Sequence, residues 1–160
     1  MAMNFWNALL TIGVSAAPVF ELRGGIPLAL SQGFPPAGAF GLAFLGNLAV
    51  VPFLLLGFKW MERHLMRWGF TSQILEWVFA RSRRKGRWIQ RLGPIGLVLL
   101  VAIPLPGTGA WTGAIASRLL GIPVKRAVVW IAIGVVVAGI LVLFASLGAI
   151  RLFGLEPAAG

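Results

Sequence analysis

The sequence predicts an all-α integral membrane protein, an inverted repeat of two re-entrant helical hairpins that are each followed by a transmembrane helix. Of its 160 residues, 59% are hydrophobic and only 11% are charged, whereas soluble domains carry about 25% charged residues. Charges are absent from four stretches, each about as long as, or longer than, the ~20 apolar residues that cross a bilayer. Two segments rich in Pro and Gly, PVFELRGGIP and PLPGTGAWTG, occupy corresponding places in the two halves.

The first hairpin is expected at residues 5–33. An apolar helix runs over 5–17 into PVFELRGGIP, where two prolines and two glycines argue against a continuous crossing. We expect the chain to turn there, near the middle of the membrane, and to return to the side from which it came. Residues 1–20 lack a basic start and a cleavage site, so they are expected to remain in the mature protein.

Residues 37–58 form the first predicted transmembrane helix. The run AGAFGLAFLGNLAVVPFLLLGF contains no charge and is long enough to cross the hydrocarbon core. Pro52 is expected to kink this helix, because membrane helices tolerate proline where neighbours satisfy the freed carbonyl. Since basic residues favour the cytoplasmic side, the helix is predicted to start outside and to end inside at Phe58.

A basic segment at residues 59–91 separates the repeats and holds nine of the fourteen Lys and Arg residues. Trp60, Trp68, Trp77 and Trp88 are interleaved with them. This pattern predicts an amphipathic cytoplasmic segment at the membrane interface, with its indoles among the headgroups. Fixing the orientation of the chain is the favoured role, and lipid sensing is the alternative. The net charge of +10 therefore indicates a bilayer partner rather than nucleic acid.

The second repeat is expected at residues 92–150. If 93–120 crossed the membrane fully, Arg118, Lys125 and Arg126 would lie opposite the basic segment, against the positive-inside rule. A re-entrant hairpin over 93–120, turning at PLPGTG, returns them to the cytoplasm. The second transmembrane helix, 123–150, then runs outward.

The whole chain, 1–160, is therefore predicted to be a single multi-pass domain of the cytoplasmic (inner) membrane. The first repeat is 1–58 and the tail is 151–160. Both termini are expected on the outer side. Small identities accompany the repeat: Ala16 and Ala102, Pro18 and Pro104, Ser31 and Ser117 share one offset, and Gly33 and Gly121, Pro35 and Pro123, Gly46 and Gly134 share another.

The residue inventory argues against an enzyme. The chain has no Cys, no Asp and one His, and its four carboxylates are Glu21, Glu62, Glu76 and Glu156. Thiolate sites, catalytic triads and carboxylate-rich metal clusters cannot be assembled from this set. We therefore expect no catalytic residue, no metal site and no cofactor.

Glu21 and Arg23 are the strongest candidates for a substrate or ion site. Ionisable groups at membrane depth cost about 2.5–3.5 kcal/mol each and commonly mark function. We expect them in an irregular turn, where Gly24 and Gly25 expose backbone. Arg23 would pair with Glu21 or contact an anion, and a structural ion pair is the alternative. Burial and Arg23 act oppositely on the protonation of Glu21, which leaves proton coupling a hypothesis.

The second turn offers backbone rather than charge. Pro104 and Pro106 stop the helix, and Gly107 and Gly109 allow close approach of the backbone. Thr108 places a hydroxyl at the start of the second arm. Free N–H groups at such a start attract anions, and broken helices form transporter sites. A turn that only packs is the alternative. The candidate binding residues are Pro104, Pro106, Gly107, Thr108, Gly109 and Trp111, the last of which lines the cavity or packs.

Three further residues are expected to serve packing. Asn47 is the lone polar residue of the first crossing and is expected to bond to a neighbouring helix or to a freed carbonyl. Gly134 and Gly139 are expected to mark close helix approach.

FELRGGIPLAL and VAIPLPGTGAWTGAIAS together resemble the small multidrug export protein family of prokaryotic inner membranes. The resemblance covers nearly the whole chain and implies export of small compounds. More loosely, the plan of two opposed hairpins is similar to the DedA/VTT superfamily, which is implicated in moving lipids such as undecaprenyl phosphate between leaflets. Glu21 stands where that superfamily often has a carboxylate. In its second hairpin the DedA pattern has an Arg on each side of the Pro-Gly step, but this chain has Ala102 before that step and Gly109 after it.

Three hypotheses of function follow. The first is a transporter that exports small molecules, with protons as a possible coupling partner, through a site between the hairpins. The second is a lipid translocase, and the third is a membrane scaffold that transports nothing. The oligomeric state stays open, with a homo-oligomer among the options.

Overall fold

The computed structural model describes residues 5–65, 94–104 and 108–152, and of residues 59–65 it describes the backbone alone. These ranges contain helices and no strand, which confirms the all-α prediction. Their helices are α1 (Phe5–Ala16), α2 (Glu21–Ser31), α3 (Pro36–Leu65), α4 (Pro94–Ala102), α5 (Ala110–Leu119) and α6 (Val124–Leu152). A pair of short helices followed by a long helix thus occurs twice along the chain.

The helices α1 and α2 form the first helix pair: they are joined by a turn at residues 17–20 and pack against each other. A methyl group added at Gly25 would overlap the hydroxyl of Ser15 and lie 3.3 Å from Ala43 of α3. A methyl group at Gly24 would lie 2.8 Å from Cβ of Phe20. The irregular turn predicted for these glycines is wrong, because both lie inside α2. Their missing side chains let neighbouring groups approach closely.

The two links into the long helices have the same local structure. At the end of α2, Gly33 has φ +84° and donates its N–H to Leu30, while Phe34 donates to Ala29. At the end of α5, Gly121 has φ +68° and donates its N–H to Arg118, while Ile122 donates to Ser117. Both are Schellman caps, in which glycine takes the left-handed conformation.

The long helices correspond to the two predicted crossings. Residues Pro36–Phe58 and Val124–Leu152 are long and apolar enough to cross a membrane. The helix α3 does not stop at Phe58 but continues without a break to Leu65. The first residues of the basic segment therefore prolong α3, and the rest of that segment lies outside the described residues.

The packed interior lies between the helix pairs and the long helices. As predicted, Gly134 and Gly139 mark close approach. A Cβ at Gly134 would lie 2.6 Å from Val101 of α4, and a Cβ at Gly139 would lie 2.6 Å from Phe40 of α3. Many large apolar side chains point outward, including Phe53 (76% exposed) and Phe144 (71% exposed) on the long helices. Such a surface suits lipid as the surrounding solvent.

Candidate functional site

The candidate site lies where the start of α2 meets the start of α5. Three hydrogen bonds join the first helix pair to the second here, although their residues are 85 to 95 positions apart in the chain. Their side-chain partners are the carboxyl group of Glu21, the guanidinium of Arg23 and the indole of Trp111. The two segments that echo each other in the sequence are therefore in direct contact.

Glu21 is held against the first residues of α5. Its carboxylate oxygen Oε1 accepts the backbone N–H of Trp111 at 3.3 Å, and the N–H of Ala110 also acts on the carboxylate. The first N–H groups of any helix lack partners within the helix and attract negative charge. Glu21 thus supplies, from the other half of the chain, an anionic group at the start of α5.

The backbone of Glu21 is strained. Its φ of +47° lies in the left-handed region, and it is the one residue other than glycine with positive φ among the described residues. Only 6% of its surface is exposed. Strained backbone persists where surrounding contacts fix it and is commonly found at binding sites.

Gly109 precedes α5 and makes room for the carboxylate. It has φ +136°, and a methyl group there would overlap both oxygens and the carboxyl carbon of Glu21. It is the N-cap residue of α5, and no side chain of the cap bonds to the helix. The hydroxyl of Thr108, which the sequence placed at the start of the second arm, donates to the carbonyl of Ile103 at 2.6 Å.

Arg23 contacts the same loop. Its Nη2 donates to the carbonyl oxygen of Thr108, and its charge also acts on Glu21. Glu21 therefore accepts from the N–H groups at the start of α5, whereas Arg23 donates to the carbonyl of Thr108 just before α5.

Trp111 ties the loop to α1. Its indole Nε1 donates at 3.0 Å to the carbonyl of Ala16, the last residue of α1, while its backbone N–H binds Glu21. The indole fixes the two helix pairs against each other, since a carbonyl at the end of a helix has no partner within that helix.

A small cavity of about 10 Å³ lies beneath this contact. Its polar lining comes from Glu21, Arg23 and Asn47, and the second turn contributes Pro104 and Gly109. The remaining lining residues are apolar and come from α2, α4, α5 and α6: Leu22, Val101, Ala110, Val135, Ala138 and Val142. Two ionisable groups and one amide thus share a small cavity with apolar side chains.

Asn47 belongs to this site, although the sequence suggested only a packing role. It is 1% exposed on α3, and neither of its amide atoms has a hydrogen-bond partner among the described residues. The amide nevertheless faces the carboxyl group of Glu21 and interacts with it. Only the distance in space between Asn47 and the first helix pair identifies it as a site residue, and a sequence does not contain such distances.

The other predicted site residues divide into three groups. Pro104 lines the cavity. Gly24 and Gly25 pack within α2 and offer no free backbone to a ligand. Pro106 and Gly107 lie outside the described residues, and within the described ranges no group of His or acidic residues could hold a metal ion.

An open apolar groove of about 580 Å³ runs along the exposed face of α1 and ends at the turn before Glu21. Trp6, Leu10, Val14 and Phe20 are among the residues that line it. Its volume falls within the roughly 300–1,000 Å³ of sites for small organic molecules. It is therefore much larger than the cavity beneath the contact.

Comparison with known proteins places the chain in a family. The sequence model of the family described as "Putative small multi-drug export protein" matches residues 21–141, which begin at Glu21 and include the described site residues except Val142 and those of α1 and its turn. No curated protein and no solved structure matches the chain. The match spans most of the sequence, and the helices long enough to cross a bilayer agree with a membrane protein. The chain belongs to the small multi-drug export protein family.

Proposed function

We propose that this protein exports small molecules across the cytoplasmic membrane through the contact between its two helix pairs. The observation that carries the proposal is the pairing of Glu21 and Arg23 with the loop and helix start at residues 108–111. Both ionisable groups are directed at the other half of the chain. A passage between the halves would have to break these bonds, so the same residues would act as a gate.

The proposal includes the predicted membrane arrangement. Each helix pair would enter the membrane and return to the side from which it came, with α3 and α6 as the crossings. The two pairs would enter from opposite sides. The short lengths of α4 and α5, nine and ten residues, support this arrangement, because a full crossing needs about 20 helical residues.

Apolar compounds are the substrate class that the outer surface favours. The groove on α1 is open on one side and ends beside the turn at residues 17–20. A lipophilic molecule in the bilayer could lie in this groove and place a cationic group toward Glu21. In this scheme the carboxylate of Glu21 selects substrates with a positive charge, and the groove binds the apolar part of the substrate.

Protons are the proposed coupling ion. Protonation of Glu21 would remove its negative charge and weaken its bonds to the N–H groups of α5, since bonds to charged acceptors are the stronger ones. Among the residues that the structure describes, the charged group that faces Glu21 is Arg23 of α2, and α3 contributes the amide of Asn47. The faces from α4 and α6 are apolar.

Transport by the purified protein in liposomes tests the proposal. We expect wild-type protein to accelerate the movement of ethidium, a lipophilic cation, when a proton gradient is imposed. Glu21→Gln should lower this rate about tenfold or more, because a hydrogen bond to a charged group contributes about 1.5–3 kcal/mol. Ser31→Ala is the control, since Ser31 is exposed and its hydroxyl bonds only within α2.

The same liposomes separate the alternatives. If a fluorescent phospholipid changes leaflet while ethidium does not move, a lipid translocase replaces the proposed exporter. If neither moves faster than in protein-free liposomes, the scaffold hypothesis replaces both.

A further inference from the structure

The link between α5 and α6 carries basic side chains that the proposed transport scheme leaves without a role. Arg118 lies in the last turn of α5, and Lys125 and Arg126 lie in the first turn of α6. Arg118 is half-buried, whereas Lys125 and Arg126 are exposed. These three residues, here called the link cluster, flank the glycine cap at Gly121.

The fold of the link does not require these charges. The link between α2 and α3 has the same kind of cap, and the positions equivalent to the link cluster, counted from the cap glycines, are Leu30, Ala37 and Gly38. Basic residues also oppose the partial positive charge at the start of a helix, and the first turn of α6 contains no acidic residue. The link cluster therefore indicates a partner outside the link.

The described part of the chain offers no counter-charge at this place. Among the described side chains, the one carboxylate is that of Glu21, and it is bound at the start of α5. Arg118 lies at the opposite end of that helix, and the ten residues of α5 extend over about 15 Å. The surrounding membrane is the other source of negative charge.

The link cluster lies at the level of lipid headgroups. The helix α6 is long and apolar enough to cross a membrane, so Lys125 and Arg126 would stand at a membrane surface, on the side predicted to be cytoplasmic. Trp130 follows Arg126 by one helical turn, and tryptophan is enriched at membrane interfaces. Val129 and Ile133 follow Lys125 on one face of α6 and are exposed. Charged and exposed apolar groups thus succeed each other in the order of a phospholipid headgroup and its acyl chains.

We propose that the link cluster binds the phosphate headgroup of an anionic phospholipid in the adjacent leaflet. Lys125 and Arg126 would donate to the phosphate oxygens, and arginine can make two parallel bonds to such a group. Arg118 adds a third positive charge from α5. The acyl chains would lie against the exposed apolar face of α6. This site is separate from Glu21 and does not depend on the proposed transport.

Setting the orientation of the chain during insertion is a different role for the same residues. That role is complete once the protein is in the membrane, and it gives purified protein no preference for one headgroup over another. A detergent micelle has no cytoplasmic side. Lipid binding by purified protein in micelles therefore distinguishes the two roles.

Native mass spectrometry of the full chain in detergent tests the proposal, with phosphatidylglycerol and phosphatidylcholine of identical acyl chains as probes. We expect phosphatidylglycerol to bind more tightly. Lys125→Gln and Arg126→Gln should each weaken its binding about fivefold, the contribution of one basic residue near an anionic lipid surface. Binding of phosphatidylcholine should stay unchanged, and Lys125→Arg, which keeps the charge, should retain the affinity of the wild type.

Arg151→Gln is the matched control. Arg151 is exposed in the last turn of α6, so this variant removes the same charge at the other end of the helix. We expect its affinity for phosphatidylglycerol to be nearly that of the wild type. An equal loss in Arg151→Gln and Lys125→Gln would overturn the proposal, because the attraction would then depend on net charge alone.

Two further results would overturn the proposal. One is equal affinity of the wild type for the two lipids, a comparison that needs no variant and so holds whatever the stability of the substituted proteins. The other concerns glycerol 1-phosphate, which carries the phosphate without acyl chains. If it binds as tightly as phosphatidylglycerol, the ligand is a soluble phosphate rather than a lipid.

Discussion

Gly109 shows how one residue without a side chain determines the geometry of the site. Its backbone conformation is one that side chains disfavour, and the space a Cβ would fill is occupied by the carboxylate of Glu21. The carboxylate in turn stands on strained backbone. The backbones of Gly109 and Glu21 are therefore both in disfavoured conformations at one contact, and the hydrogen bonds to the start of α5 offset that cost.

The first prediction concerns Gly109→Ala. The added methyl group must displace Glu21 and strain the backbone, so we expect a loss of about 2–4 kcal/mol in the free energy of unfolding. Chemical denaturation in detergent, followed by tryptophan fluorescence, measures it. Gly41→Ala is the control, because nothing lies within 4 Å of a Cβ there and alanine favours a helix. Equal stability of the two variants would show that the contact between the helix pairs is not formed in the membrane protein.

A related prediction concerns Arg23, whose guanidinium binds the carbonyl of Thr108. Arg23→Gln keeps a donor but loses the charge that faces Glu21. We expect ethidium transport to fall several-fold, with a smaller effect than that of Glu21→Gln, because the carboxylate still contacts α5. A rate at least equal to that of the wild type would indicate that Arg23 only supports packing. Arg23→Lys, which retains the charge, should recover part of the lost rate.

At the scale of helices, small residues decide how closely neighbours pack. Gly25 of α2 lies against Ser15 of α1, and Gly46 of α3 lies against the backbone of Ile12. Without a hydrophobic driving force between helices in lipid, close packing of this kind is a main source of their association. The glycines of ELRGGIP thus serve the helix pair rather than a ligand.

Gly25→Ala tests this packing. The methyl group would overlap the buried hydroxyl of Ser15, and overpacking costs about 1–3 kcal/mol. We expect lower stability in thermal unfolding, with partial recovery in the double variant with Ser15→Gly. Gly13→Ala on α1, where a Cβ meets nothing within 4 Å, should have little effect. No recovery in the double variant would point to a cause other than this contact.

The matched Schellman caps give a second prediction at this scale. Gly33→Ala and Gly121→Ala introduce no steric contact within 4 Å, but both positions have positive φ. Each should therefore cost about 1–2 kcal/mol from backbone strain alone. Similar losses in urea unfolding would agree with equivalent links in the two halves. A loss confined to one variant would show that the links are not equivalent.

The arrangement of the whole molecule in the membrane is the largest remaining prediction. Pro35 and Pro123 are exposed, follow the two Schellman caps and precede the two long helices. If the repeats are inverted, single cysteines at these two positions should react with a membrane-impermeant thiol reagent from opposite sides. We expect Pro35→Cys to be labelled from outside and Pro123→Cys from inside.

The absence of native cysteine makes this labelling specific. Ser117→Cys is a useful control, since Ser117 is fully buried and should stay unlabelled from both sides. Labelling of Pro35→Cys and Pro123→Cys from the same side would exclude the inverted repeat. The exporter proposal would then need a different passage.

Much of the helix pattern could be predicted because apolar composition, proline and charge act locally. The helices α1 and α6 lie within two residues of their predicted bounds, and the family resemblance is confirmed by residues 21–141. The start of α2 was missed because proline and paired glycines usually interrupt helices. Here Gly25 remains helical, since its missing side chain lets Ser15 pack against it.

By itself, the sequence determined that this chain is helical, apolar and organised as two similar halves, and it identified Glu21 and Arg23 as its unusual charges. Only the tertiary structure decided what those charges contact. Glu21 meets the start of α5 across some 90 residues of sequence, and Asn47 reaches the same cavity from α3. Composition and periodicity act over a few turns of helix, whereas a site between two halves depends on how those halves pack.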